Sequence, residues 1–217
     1  MEDGLLITCP EHDLTTAYLA YFSKEVIEMA EKKPLKCKKV MDKDLHLKGF
    51  SEILQNLNFK FIVLNGHGSP HTIYGYKENP IIEMGENDHL LKERLVYARS
   101  CDAGQELGKE CMKNTKEGCF IGYCLPFVFY MDSKWTAKPG NDNVAKLFLE
   151  PSNTIPISII KGNTTGKAHE NAKRQTVKII EKLMESQLKE QETPFYIEAL
   201  WNNYLGQVIH GNSEAKL

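Results

Sequence analysis

Short apolar runs alternate with stretches of helical periodicity along most of this chain, and that alternation restricts the fold more than any other feature. Strands separated by helices cannot pair as simple hairpins. They join side by side through crossovers, which gives an α/β layered fold with a largely parallel sheet. Leu5-Leu6-Ile7-Thr8-Cys9 reads as the first strand and stops at Pro10. Asp13 or Thr15 is placed to cap the helix that follows, where Tyr18, Tyr21, Phe22, Val26 and Met29 recur at helical spacing. Lys36 to Met41 alternates weakly and suits a strand near an edge, and Phe50, Ile53, Leu54 and Leu57 mark a second helix.

Phe59 to Leu64 is the clearest strand, and it ends in a turn built of breakers, Asn65-Gly66-His67-Gly68-Ser69-Pro70. Residues 72–83 read as a surface hairpin turning at Glu78-Asn79-Pro80, with a short helix from about Asp88 after it. Leu95 to Ala98 is a fourth strand, followed by Arg99-Ser100-Cys101-Asp102-Ala103-Gly104, a helix over Gln105 to Met112, and a fifth strand over Cys119 to Tyr123. Lys134 to Asn143 is a polar loop. The C-terminal third reads as helical: two short helices around Val144–Leu149 and Ile155–Ile160, a long one from Thr165 to Leu188, and a last one opened by Pro194. In the long helix Ala168, Ala172, Thr176, Ile180 and Leu183 form the inner stripe, while Phe195, Ala199, Leu200, Leu205 and Ile209 share one side of the last.

Composition narrows the function classes. The 217 residues fit a single domain spanning 1–217, and neither a repeat nor a low-complexity linker divides them. Charges nearly balance, for a net −2, so nothing points to a polyanionic partner such as nucleic acid. The longest uncharged stretch, Gly118 to Met131, is 14 residues long and too short to span a bilayer. The acidic start Met1-Glu2-Asp3 is unlike a signal peptide, so a cytoplasmic protein is expected. Six scattered cysteines make neither a disulfide scaffold nor a Cys-x-x-Cys pair.

In an open α/β sheet, chemistry gathers at the carboxyl ends of strands. Two strand ends here carry reactive side chains: His67 between two glycines, and Cys101 just before a predicted helix. If the two strands are neighbours, these turns adjoin. Cys101 would then be a nucleophile favoured as thiolate by the helix dipole, His67 its acid/base, and the amides of Gly68 and Cys101 an oxyanion hole. The plainer alternative is a tight Gly-His-Gly turn beside a core cysteine. Asp102 is expected to cap the following helix. His71 lacks a following glycine, and His12, His46, His89, His169 and His210 show no ligand spacing, so neither metal nor cofactor is expected. Nucleotide loops and the G-x-S-x-G elbow are absent from the sequence.

An apolar strand ending in His-Gly, then the next ending in a small residue, Cys and Ala/Gly, resembles the caspase-like (clan CD) cysteine peptidases. The matching segments are Phe61-Ile-Val-Leu-Asn-Gly-His67-Gly68 and Leu95-Val-Tyr-Ala-Arg-Ser-Cys101-Asp-Ala-Gly104. The bacterial CHAT-domain proteases are the nearest match, on the further segment Gly162-Asn-Thr-Thr-Gly-Lys-Ala168-His169, and the likeness covers roughly residues 5–190. It implies a three-layer αβα fold with C-terminal helices, and a cysteine endopeptidase whose dyad is His67 and Cys101. A protein or peptide substrate, and a protein activator or regulator, are the partners it implies. The caspase Gln-Ala-Cys signature is absent. With no long cleavable linker after the Cys101 strand, a single-chain enzyme is expected.

The resemblance also implies that Arg99, two residues before the nucleophile, lines the pocket for the P1 side chain. Strand alternation puts it on the same side as Cys101, and its fork would favour an acidic P1. The competing assignment pairs Arg99 with a carboxylate at the end of the first strand, Asp13 or Glu11. Two other function classes stay open: a non-catalytic caspase-like interaction module, and a thiol hydrolase or acyltransferase acting on a small molecule.

Overall fold

Six strands form the central sheet of the computed structural model, which describes residues 1–186 and 192–217. In chain order they are β1 (Glu2–Cys9), β2 (Lys36–Met41), β3 (Phe59–Asn65), β6 (Leu95–Arg99), β7 (Cys119–Tyr123) and β8 (Gln207–Gly211). Across the sheet the order is β2-β1-β3-β6-β7-β8. The first five strands run parallel, and β8 pairs antiparallel with β7. The remaining strands, β4 (Thr72–Tyr74) and β5 (Pro80–Glu83), make the expected separate hairpin.

Both faces of the sheet are covered, as near-continuous apolar strands require. Alternate residues sort cleanly. Leu5, Ile7, Phe61, Val63 and Tyr97 enter one core with α1 (Leu14–Glu31), α4 (Asn143–Ile160) and α5 (Thr165–Ser186). Leu6, Ile62, Leu64, Val96 and Phe120 enter the other with α2 (Leu47–Asn56), α3 (Leu107–Cys111) and the hairpin. A third cluster ties α4 and α5 to α6 (Thr193–Gly206) through Phe148, Ile180, Tyr196 and Leu200.

Three parts of the C-terminal third differ from the sequence expectation. The two short helices are one, α4, which runs through Pro151 and Pro156. Each proline removes a helical N–H, but the buried face of Leu149, Ile155 and Ile159 holds the helix against the sheet and outweighs that loss. The last helix ends at Gly206, and Val208 and Ile209 belong to edge strand β8, whose register sets Ile209 opposite Ile121. Phe195 and Leu205 are exposed rather than on a buried side. The predicted end of the long helix at Leu188 lies outside the described residues, where α5 is followed to Ser186. Among the described residues, no helix is long and apolar enough to cross a membrane.

Candidate active site

The ends of β1, β3 and β6 lie side by side, and the parallel register sets Asn65 opposite Arg99. Neighbouring strands are about 4.8 Å apart, so the His67 and Cys101 turns adjoin. The glycines of the His67 turn are demanded by backbone that comes close on two sides. A Cβ on Gly68 would run into the Cys101 carbonyl oxygen and lie 2.9 Å from the Ser100 Cβ. A Cβ on Gly66, whose φ is +156°, would strike the Tyr74 carbonyl oxygen. Beyond the turn, Tyr74 N–H donates to the His67 carbonyl and Ser69 N–H to that of Thr72. These bonds flank the bridge between Gly68 and Ile73, so the Gly68 amide is not spent on it.

His67 is held by Asp13. Its Nε2 lies 2.8 Å from Asp13 Oδ2, and both side chains are 36 % exposed. Of the two caps the sequence offers, Asp13 and Thr15, it is Asp13 that caps α1, accepting the Thr16 amide at 2.7 Å on Oδ1. Partial burial acts to raise the Asp13 pKa, but the hydrogen bonds from Thr16 and His67 outweigh it and hold the carboxyl below its ordinary value. An ionised Asp13 accepts, so Nε2 carries the proton and a neutral His67 keeps its lone pair on Nδ1. The sequence grouped Asp13 with Arg99; the structure joins it to the histidine instead.

Cys101 is half-buried against the α1/α4 core, its Sγ 3.9 Å from the Phe127 carbonyl oxygen. No hydrogen bond joins it to His67 among the described residues. The expected helix dipole is missing at this position. Helix α3 begins only at Leu107, is five residues long and has Glu106 rather than Asp102 as its N-cap. Asp102 instead takes a left-handed backbone, φ +57°, and accepts from the Gln105 side chain. Burial first, and the neighbouring Asp102 carboxylate after it, push the Cys101 thiol up from its ordinary value. At rest the sulfur is therefore a thiol, and a base must take its proton during attack.

Arg99 does not reach this site. It is fully buried, and every N–H of its guanidinium is engaged: Nε with Asn65 Oδ1, Nη1 with Ser152 Oγ and Asn153 Oδ1, Nη2 with the Leu19 carbonyl and Ser23 Oγ, all at 2.9–3.1 Å. It does point to the same face of the sheet as Cys101, but down into the layer between β3, α1 and α4. No donor is left for a substrate carboxylate, and neither Asp13 nor Glu11 is its partner. Glu11 lies toward the edge strand, 3.8 Å from Lys39 Nζ, and its amide donates to Asp42. His169 stands on α5 and bonds to Gln207 of β8 through Nδ1 at 2.9 Å.

Sequence reasoning passed over His12. Its spacing to other ligand residues is uninformative, but the parallel order β1-β3 carries the end of β1 against the His67 turn. His12, Asp13 and His67 each direct a ligand atom into one cluster in which all lie within 4.8 Å. The available signal was the adjacent His12-Asp13 pair just beyond the first strand.

No family model matches the chain, and no curated protein matches it in sequence.

Proposed function

We propose that the chain is a cysteine peptidase of the caspase-like kind, with Cys101 as nucleophile, His67 as acid/base and Asp13 as the residue that positions His67. The observation carrying this reading is the meeting of three strand ends: a histidine clamped through Nε2 by an ionised carboxylate, on a turn whose glycine packs against the cysteine backbone. A layered α/β fold with a mostly parallel sheet supports it as well.

In the proposed reaction His67 Nδ1 takes the Cys101 proton as the sulfur attacks the scissile carbonyl carbon. The Gly68 and Cys101 amides stabilise the oxyanion. The C–N bond then breaks, His67 returns the proton to the leaving amine, and a thioester remains on Cys101. Water, losing a proton to His67, opens the thioester to the acid and restores the thiol. Asp13 fixes the tautomer that makes Nδ1 the base. An acidic P1 preference has no support from Arg99, whose donors are all used.

Turnover of a fluorogenic peptide panel with Asp, Arg, Asn and Leu at P1 tests the reading. Cys101→Ala and His67→Ala are expected to abolish cleavage that the wild type performs. Equal cleavage by Cys101→Ala would overturn it.

A further inference from the structure

Beside the Asp13–His67 pair stands a histidine that the proposed chemistry does not use. His12 is only 9 % exposed at its side chain, and its ring meets those of His67 and Tyr76 edge-on, with centroids 6.1 and 5.7 Å away. Its Nε2 stands 3.2 Å from the same Asp13 Oδ2 that His67 engages, yet neither ring nitrogen makes a hydrogen bond, and both are buried. Buried polar atoms without partners are rare and costly. An imidazole nitrogen left bare beside a carboxylate oxygen and a second imidazole is one ligand of an N₂O donor set.

We infer that His12, Asp13 and His67 form a site for a divalent transition-metal ion of the zinc class, and that its occupancy switches off the Cys101–His67 pair. The second half rests on the peptidase reading above. Two imidazoles and a carboxylate suit zinc rather than calcium or magnesium, and three protein ligands leave a fourth position for water. Bonds of about 2.0–2.1 Å set tetrahedral ligand atoms about 3.3 Å apart. The present separations of 2.8 Å (His67–Asp13) and 3.2 Å (His12–Asp13) must open to about that value, and the two imidazole nitrogens, within 4.8 Å of one another, must come to it from their side. Asp13 keeps its Oδ1 for capping α1, so the helix start need not be disturbed. The ion takes the lone pair of His67 Nε2, and the one proton of the neutral ring, which Nε2 carried, moves to Nδ1. The nitrogen that should accept the Cys101 proton thereby becomes a donor, and the base is lost.

The test is a Zn²⁺ titration of the metal-stripped full chain against a chromophoric chelator, alongside His12→Gln and His12→Asn, with peptide turnover read on the same samples and Co²⁺ spectra recorded in parallel. One ion is expected per chain, its affinity falling at least about tenfold in both His12 variants. The Co²⁺ form should show no sulfur-to-metal charge-transfer band. Both variants should keep the metal-free turnover of the wild type and lose its inhibition by Zn²⁺. Unchanged affinity in the His12 variants, or a strong charge-transfer band from thiolate ligation, would overturn the site. His12-dependent binding by a chain that cleaves no peptide when metal-free would retain the metal site and remove both the peptidase reading and the switch. Normal cleavage with equal Zn²⁺ inhibition in wild type and variants would keep the peptidase reading and remove the switch at this site.

Discussion

Arg99 and the His12–Asp13–His67 cluster belong to the same end of the sheet, yet they treat their polar atoms in opposite ways. Every N–H of Arg99 has an oxygen, from Asn65, Ser152, Asn153, Leu19 or Ser23, and its charge is sealed among neutral dipoles without a carboxylate. In the cluster a carboxylate oxygen faces two imidazoles, one of them bonded and the other bare, on turns that adjoin a thiol whose pKa burial raises. Saturation marks a residue that builds: Arg99 joins β3, α1 and α4 beneath the site. Incomplete saturation at an exposed strand end marks groups left available for a ligand or a proton.

The largest effect that would break this contrast is on stability. Removing Arg99 takes the donor from Asn65 Oδ1 and Asn153 Oδ1 and opens a large void, so Arg99→Ala should cost about 3–5 kcal/mol in urea unfolding. Lysine cannot reproduce the planar fork, and Arg99→Lys should recover little of the loss. The P1 preference of whatever variant remains folded should match that of the wild type. A stable Arg99→Ala with altered P1 preference would return Arg99 to the substrate site.

Asp13→Asn probes the other side of the comparison. Asparagine caps a helix as well as aspartate does, so stability should change little. Loss of the carboxylate that holds the His67 tautomer should lower kcat by about a hundredfold or more. Full activity in Asp13→Asn would leave the cluster without a positioning role.

These two side chains also show how far the sequence reached. The strand ends that carry His67 and Cys101 were legible, because apolar runs followed by Gly-rich turns are local signals. Asp13 as the cap of α1 was legible for the same reason. Its bond to His67 was not, since it depends on β1 lying beside β3, a long-range fact. Arg99 was misassigned because alternation gives the face of the sheet but not the depth. Only the acceptors brought by α1 and α4 decide that it is sealed. Similarly, β8 escaped notice because five residues after a helix carry too short a pattern, and α4 was split at prolines that its packing overrides.

Smaller effects come from titration. Because burial and Asp102 raise the Cys101 pKa, its alkylation rate should keep rising above the ordinary thiol range, measured with iodoacetamide from neutral to alkaline pH. A plateau already reached near neutrality would mean an ion pair with His67 at rest. Away from the site, burial first, and Lys173 beside it, hold His169 down at about 4. In the unfolded chain this histidine takes a proton below about 6.5, whereas the folded chain resists it until about 4. Its share of stability is thus present above 6.5 and lost as pH falls toward 4. Denaturant midpoints across that window should fall in the wild type and fall less steeply in His169→Gln.

The most direct measurement of the central claim uses a peptide bearing a thiol-reactive warhead, followed by intact mass and adduct mapping. Of the six cysteines, Cys9, Cys111 and Cys119 are buried, while Cys37 and Cys124 are as partly exposed as Cys101 and serve as internal controls. A site built by His67, Asp13 and the two turn amides predicts a single adduct on Cys101, formed much more slowly in His67→Ala. Labelling spread evenly over Cys37, Cys101 and Cys124, and indifferent to His67, would contradict it.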